Sequence, residues 1–499
     1  AAKRHFCLSR GLGDVYKRQV KRFNGSALSW VQLLKIGAWP RRNRLRRKRK
    51  TCGFVGIIMA VHAAKIAPIK PIEKRMFSKC SIIFFRSDVG AKRSKSLKTQ
   101  SVIYPIAAAA LDKNILVSPY RNMDLDTRYP GLLDLKRAAK RKLPYFVWEY
   151  LDSATGTESV LVNNRAAFDR FRMMPSVLHG PLAVDLNCNF LGKTFDLPFG
   201  VAPVGLSGLI WPNAETLLAR NAVDNNLPYT LSTVACQTPE TIGPVANGNG
   251  WFQLYPPRDP RIRTDMLSRV KNAGFDTLVL TVDLPVASRR ERQTRSGITQ
   301  PPRLTPRLLA QIAQKPRWAL ATAAFGRPAM PFLNKYAKVK PGMPPTAHIG
   351  YLLRASPDEA YLSWLRENWQ GSLIVKGILN AEDTKRLERI GVDALWVSNH
   401  AGRQFDGAPE SISMLPSIRR ATTLPLVFDS GIESGLDILR ALALGADFVM
   451  LGKAWHYALG ALGPLGPAHL TDILRKDLIA NMGQLGLENL KDCAGKIVV

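Results

Sequence analysis

Acidic residues are missing from two long stretches of this chain, and cysteine is scarce throughout. Residues 1–122 hold 28 Lys and Arg against 4 Asp and Glu. Between Arg292 and Pro357 there are eleven Lys or Arg and no Asp or Glu. The six cysteines (Cys7, Cys52, Cys80, Cys188, Cys236, Cys493) show no C-x-x-C spacing. That excludes a zinc ribbon, a thioredoxin-like dithiol and a disulfide scaffold, so reduced thiols in a cytoplasmic protein and no metal site are expected. Apolar runs near Val55–Ala64 and Val102–Leu111 fall short of the roughly 18–20 residues that a membrane-crossing helix requires.

The formal charge of +33 over 499 residues would by itself suggest a nucleic acid or an anionic membrane as partner. Its distribution argues otherwise, because most of it lies before Met123. The run Arg41-Arg42-Asn43-Arg44-Leu45-Arg46-Arg47-Lys48-Arg49-Lys50 is compatible with a nuclear-import or nucleic-acid tail or a transit peptide. Gly11-Leu12-Gly13-Asp14-Val15-Tyr16-Lys17-Arg18-Gln19 reads instead as translated adapter sequence. Residues 1–122 are therefore expected to be a non-native or disordered basic extension, with Met123 as the natural start and no nucleic-acid partner. A folded N-terminal helical domain is the alternative.

From Met123 onward the pattern becomes regular. A helical stretch runs from Asp134 to Leu151 and restarts at Leu143-Pro144. Eight short apolar runs follow: Pro198–Val204, Tyr229–Thr233, Trp251–Tyr255, Thr277–Asp283, Leu373–Gly377, Ala394–His400, Pro425–Gly431 and Phe448–Lys453. Helical patterns alternate with them, among them Glu215–Asn225, Asp265–Ala273, Ala381–Ile390, Leu436–Leu444 and Leu470–Met482. Buried strands alternating with helices predict an α/β fold, either a (β/α)8 barrel or a doubly wound sheet. Polar residues finish nearly every strand. A barrel gathers all eight strand ends at one site, so the barrel is preferred.

The richest of these ends is Val397-Ser398-Asn399-His400-Ala401-Gly402-Arg403-Gln404-Phe405-Asp406-Gly407. His400 is the natural general base near neutral pH. Arg403 is a fork that can hold a carboxylate by two hydrogen bonds. Gly402 suits a tight turn. A base and an anion clamp three residues apart suggest a site for a small acid; taken alone, the stretch also reads as a strand end with surface polar residues. Lys376, alone at a strand end, requires a partner if buried, and a buried salt bridge is the plain reading.

Ser-Asn-His-x-Gly-Arg-Gln-x-Asp resembles the signature of the FMN-dependent L-2-hydroxy-acid dehydrogenases and oxidases, the group of glycolate oxidase, L-lactate dehydrogenase and mandelate dehydrogenase. The resemblance runs from about Leu132 to Leu485. It implies a (β/α)8 barrel with an N-terminal helical extension, spanning residues 123–499. By resemblance, FMN would be held by backbone at Pro203, Val204 and Gly205. Side chains of Ser232, Gln253, Thr281, Lys376 and Ser398 would hold its ring. Asp429, Ser430, Gly431, Gly452 and Lys453 would complete the cofactor site. Tyr150, Tyr255, Arg290 and Arg403 would hold the substrate carboxylate; for Tyr150, a core aromatic is the bland alternative. His400 would be the base, with Asp283 stabilising its protonated form.

Two positions depart from the family pattern at the phosphate end. Glu433 and Lys453 stand where the family commonly has arginine, so phosphate binding would rest on backbone amides, a helix N-terminus and Lys453, with Glu433 turned to solvent. A long insertion, about residues 295–351, separates the fourth and fifth strands. It interleaves its cations with Leu308, Leu309, Ile312, Trp318, Leu320, Phe325, Phe332 and Leu333. Such a segment reads either as a membrane-surface element or as a disordered lid. Pro316-Arg317-Trp318-Ala319, Gly326-Arg327-Pro328 and Ala202-Pro203-Val204-Gly205-Leu206 resemble the membrane-associated lactate and mandelate dehydrogenase branch. The expectation is oxidation of a small, lactate-like L-2-hydroxy acid to the 2-oxo acid. Electrons would pass to a membrane quinone or another acceptor, from a homo-oligomer (a tetramer by resemblance) peripheral to the inner face of the cytoplasmic membrane. A soluble oxidase passing electrons to O2, or a catalytically impaired binding barrel, are the alternatives.

Overall fold

The structure, a computed structural model, describes residues 124–298, 304–336 and 350–498. The expected basic extension lies outside the described residues. Among those described, no helix is long and apolar enough to cross a membrane.

Eight parallel strands close into a barrel. They are β1 (Phe199–Val201), β2 (Tyr229–Ser232), β3 (Gly250–Leu254), β4 (Thr277–Thr281), β5 (Ser372–Ile378), β6 (Ala394–Val397), β7 (Leu426–Phe428) and β8 (Phe448–Leu451). β8 pairs with β1, as Val449 meets Phe199 and Leu451 meets Val201, so the sheet has no edge. That closure decides against the doubly wound sheet. The strands stop one to three residues short of most of the apolar-to-polar runs in the sequence, with Ser232, Gln253, Thr281 and Lys376 still inside the ladder.

Side chains alternate across each strand, and this alternation builds the interior. Trp251, Val279, Ile374, Ala394, Trp396, Val427, Phe448 and Met450 point inward and form one cluster. Their outward neighbours, such as Leu254, Leu278, Leu395 and Phe428, join the larger core under the helices. The antiparallel hairpin Cys188–Phe190 and Lys193–Phe195 plugs the floor. There Phe190 and Phe195 lie 5.3 and 5.5 Å from Phe448, ring centre to ring centre.

Helices pack around the barrel between successive strands, including Ala214–Asp224, Pro260–Asn272, Ala381–Ile390 and Gly435–Ala443. Before the barrel come α1 (Leu132–Lys142), α2 (Tyr145–Asp152) and α3 (Ser159–Ala166). Leu143 and Pro144 separate α1 from α2, since proline disfavours helix at the preceding residue. The described part of the insertion is helical, with α4 (Pro306–Ala313) and α5 (Pro316–Phe325). Each begins at a proline, whose missing N–H costs nothing in a first turn. After β8 comes α6 (Lys453–Leu462), buried from Ala454 to Leu462, and the long helix Gly466–Leu485 follows it.

The insertion departs from the uniform amphipathic segment expected from sequence. Leu308, Trp318, Phe332 and Leu333 are buried in the main core, whereas Leu309, Leu320 and Phe325 are exposed. The Trp318 indole donates to the Leu209 and Ile210 carbonyls, 3.1 Å each. The apolar residues thus divide between docking the insertion onto the barrel and facing outward.

Candidate active site

The inward alternation that makes the floor apolar makes the mouth polar. One step further along the same strand faces come Ser232, Gln253, Thr281, Lys376, Ser398 and Asp429, all buried. Ser232 donates to Gln253 Oε1 at 2.9 Å. Lys376 donates to Ser398 Oγ at 2.6 Å and forms an ion pair with Asp429. The Trp396 indole donates to the same Asp429 oxygen at 3.0 Å, and Ser430 Oγ donates to the other at 2.8 Å. The buried salt bridge expected for Lys376 is therefore present. Asp429 turns into the barrel as its partner, so it is not free to meet a cofactor phosphate.

His400 sits where the chain leaves β6. His400, Ala401 and Gly402 have φ values of 56°, 53° and 70°, a left-handed run that two non-glycine residues rarely adopt. Hydrogen bonds hold it: His400 N to Ser398 Oγ at 3.0 Å, and Ala401 N to Ser430 Oγ at 3.0 Å. A Cβ on Gly402 would lie 3.0 Å from the Leu161 backbone nitrogen. The turn brings His400 Nδ1 to 3.0 and 3.1 Å from the two Asp283 oxygens, beyond the end of β4. This contact makes Nδ1–H the donor and leaves Nε2 as the basic nitrogen.

Two guanidinium groups complete the mouth. Arg403 and Arg290 are both half-buried; desolvation lowers the pKa of each, and for Arg290 the nearby Arg403 lowers it further. Arg290 falls to about 9. Neither forms an ion pair with a carboxylate among the described residues. Arg403 donates to the Ser153 and Leu151 carbonyls at 2.7 and 3.3 Å and lies over the Tyr150 ring. Tyr255 is close enough to feel Asp283, Arg290, Tyr150 and Arg403, and burial raises its pKa. Tyr150 lies close enough to Arg403 and Arg290 to feel both charges. Its hydroxyl donates to the Gly205 carbonyl at 2.9 Å and so fastens α2 to the loop after β1.

Arg292, only two residues beyond Arg290, behaves in the opposite way. It pairs with Glu149 at 2.6 Å, Asp152 at 2.9 Å and Glu158 at 2.8 Å, tying the base of the insertion to α2 and the start of α3. Sequence gave no way to separate these arginines, since both lie in Arg289-Arg290-Glu291-Arg292. Also missed were the reciprocal amide pair of Asn164 and Asn399, at 2.9 and 2.7 Å. Asp406 was missed too; it accepts from Val160 N at 3.1 Å and Thr157 N at 2.8 Å. Its position in the motif was the one available hint. His456 Nδ1 meets the Gly452 carbonyl at 2.8 Å and Nε2 meets Ser207 Oγ at 2.7 Å, so this buried imidazole ties α6 to the β1 loop. Burial lowers its pKa to about 4.

The phosphate end is rebuilt. Glu433 does not turn free to solvent. It pairs with Lys136 of α1 at 3.4 Å, which cancels its charge locally. Its backbone N–H donates to Asp437 Oδ2 at 3.0 Å. Arg165 donates to the Gly431 carbonyl at 3.0 Å and also pairs with Asp437. Lys453 is half-buried at the N-terminus of α6 and donates to the Asp152 carbonyl at 2.8 Å. Burial, then the nearby Arg403, lowers its pKa to about 7.

These features fit FMN. Gln253 Nε2 and Thr281 Oγ1 are buried at the mouth without a hydrogen-bond partner, a costly arrangement unless a ligand supplies one. A helix N-terminus with a half-buried lysine and glycines at 431 and 452 suits a phosphate. At Gly431, φ +90°, a Cβ would come within 2.7 Å of the Asn164 carbonyl oxygen, so only glycine passes there.

A model of the FMN-dependent dehydrogenase family matches residues 139–499. The L-lactate dehydrogenase of Acinetobacter baumannii is 37% identical over 365 residues, 72% of this chain and 94% of that protein. The L-lactate dehydrogenase of Ectopseudomonas mendocina is 36% identical over 372 residues, 73% of this chain and 97% of that protein. Among solved structures, the monotopic membrane protein (S)-mandelate dehydrogenase superposes with a TM-score of 0.70 at 31% identity, covering 74% of this chain and 98% of that one. Mandelate oxidase gives 0.64 at 32% identity, covering 74% and 98%. A closed barrel with these strand ends, and a family match over nearly three quarters of the sequence, agree: the chain belongs to the FMN-dependent dehydrogenase family.

Proposed function

We propose that the protein oxidises a small, lactate-like L-2-hydroxy acid to the 2-oxo acid and passes the electrons to a membrane quinone. One observation carries the substrate class. Arg290 and Arg403 lie half-buried beside one another, and neither has an ion-paired carboxylate among the described residues. Two such cations are costly unless an anion joins them, and a carboxylate offers two oxygens to two forks. Tyr255 would donate to the same group, and Tyr150 would do so by turning its proton away from the Gly205 carbonyl.

With the carboxylate held, the reacting carbon is fixed relative to His400 Nε2, an orientation effect. His400 takes the proton that leaves the substrate. Asp283, 3.0 Å from Nδ1, holds the imidazole in the required tautomer and favours the imidazolium as it forms. FMN, when bound, supplies the two-electron acceptor. Ser232, Gln253, Thr281, Lys376 and Ser398 would hold its ring, with backbone at Pro203, Val204 and Gly205 beside it. Backbone amides at Gly431 and Gly452, with Lys453 turned from the Asp152 carbonyl, would hold the phosphate. Asp429 and Ser430 act at one remove, by fixing Lys376 and the His400 turn.

Membrane attachment rests on the insertion. Its cations outnumber acids completely, and Leu309, Leu320 and Phe325 remain exposed on its helices. Attachment would be peripheral, on the inner face of the cytoplasmic membrane, by a homotetramer. Deleting residues 303–340 should release the protein to the soluble fraction with turnover of an artificial acceptor retained; continued sedimentation with membranes would exclude the insertion as anchor. The reaction itself is tested by anaerobic bleaching of the yellow holoprotein against a panel of 2-hydroxy acids. Rapid bleaching by L-lactate or L-mandelate is expected, and no bleaching by any member would refute the activity.

A further inference from the structure

The insertion's charges are not spread evenly over its surface. A cavity of about 240 Å³ lies between the end of α1, the start of α5 and the end of α6. Arg141, Lys142, Lys315 and Arg317 line it, and no Asp or Glu does. Its apolar side is formed by Trp211 and Trp318, both buried.

We propose that this cavity binds the anionic headgroup of a membrane phospholipid. The inference rests on the membrane reading given above and names the partner of that surface. Three observations support a phosphodiester there. The four cations come from two elements that meet at the cavity, and two are held in place. Lys142 Nζ donates to the Ala461 carbonyl at 2.5 Å, and Lys315 Nζ donates to the Arg141 carbonyl at 2.7 Å. The N-terminus of α5, with Pro316 and Arg317 at the rim, adds backbone N–H groups and the positive end of a helix dipole. Arg317 also lies over the Trp211 ring at 5.8 Å, which aligns its guanidinium with the cavity wall.

Lipid is favoured over free phosphate by what continues from the rim. Leu320 follows Arg317 by three residues and so shares its helix face. Leu320 is 69% exposed, and Leu309 on α4 is 51% exposed. The cavity is too small for a whole lipid. It suits a headgroup whose acyl chains leave along these exposed leucines into the bilayer.

The test uses the holoprotein in cosedimentation with vesicles of phosphatidylcholine, alone or mixed equally with phosphatidylglycerol. The wild type should prefer the anionic vesicles. Lys315→Gln/Arg317→Gln should bind them roughly 30-fold more weakly, the loss expected for two juxtamembrane charges, with turnover of an artificial acceptor unchanged. Arg141→Gln, at the exposed end of α1, should weaken binding in the same direction. Arg307→Gln/Arg327→Gln removes equal charge elsewhere on the insertion and should cost clearly less. An equal loss in that control, or full binding by the cavity variants, would overturn the headgroup site while leaving membrane attachment intact. Wild-type protein that ignores anionic vesicles would overturn both. Displacement by millimolar glycerol phosphate, with no vesicle preference, would assign the cavity to a free phosphate ester and overturn the lipid.

Discussion

The two ends of one barrel use the same eight strands for opposite purposes. At the floor, inward positions carry Trp251, Phe448 and Trp396, sealed by Phe190 and Phe195 of the hairpin. At the mouth, the next inward positions carry Gln253, Thr281, Lys376, Ser398 and Asp429. The floor gains stability from packing. The mouth gives stability up, holding Arg290 and Arg403 half-buried with no ion-paired carboxylate among the described residues. The comparison teaches that alternation along a strand fixes which residues face in, while depth along the barrel fixes what they are for.

The sharpest way to break the comparison is at the base. His400→Ala should slow anaerobic flavin reduction by roughly 100- to 10,000-fold, the usual contribution of a general base, while the protein stays yellow and its melting temperature is nearly unchanged. Unaltered bleaching would place the base elsewhere. Phe448→Ala should do the reverse at the floor. It should cost about 3–5 kcal/mol of stability by leaving a cavity, read by denaturant unfolding, with activity per folded molecule retained. Arg403→Lys keeps the charge but loses the fork, and should lower kcat/KM by about a hundredfold, or roughly 2–3 kcal/mol for a charged hydrogen-bonded contact. An equal kcat/KM would exclude Arg403 from the carboxylate clamp.

The smallest effect concerns pH. Lys453 has its pKa lowered to about 7 in the folded chain, below its usual value near 10.4. Between those values the unfolded chain binds the extra proton, so stability of the cofactor-free protein should rise with pH. The window from pH 7 to 8 isolates Lys453, because Arg290, with its pKa lowered to about 9, begins to titrate only above it. A slope on the order of 1 kcal/mol per pH unit is expected. Lys453→Met should flatten it; an unchanged slope would assign the titration to another group.

Much of the site was legible because its residues end apolar runs. Ser232, Gln253, Thr281, Lys376, Ser398 and His400 each follow a short buried strand, so their convergence followed once a barrel was preferred. The failures lie where contacts are distant in sequence. Glu433 was expected in solvent but meets Lys136, 297 residues away. The insertion read as a membrane-surface element or a disordered lid, yet Trp318 and Phe332 are buried in the core while Leu320 is exposed. Helical periodicity alone cannot say which of two apolar faces meets the barrel.

By itself the sequence determined the strand count, the polar strand ends, the base and fork spaced three apart, and the two departures at the phosphate end. These are local properties, carried by the period of side chains and the chemistry of single residues. Only the tertiary structure decided that Arg290 is left to face Arg403 while Arg292 is absorbed by Glu149, Asp152 and Glu158. It also decided that Asp429 serves Lys376 and that four insertion and α1 cations surround one cavity. Whether a charge is neutralised depends on which groups lie within a few ångströms, and chain order does not encode that separation.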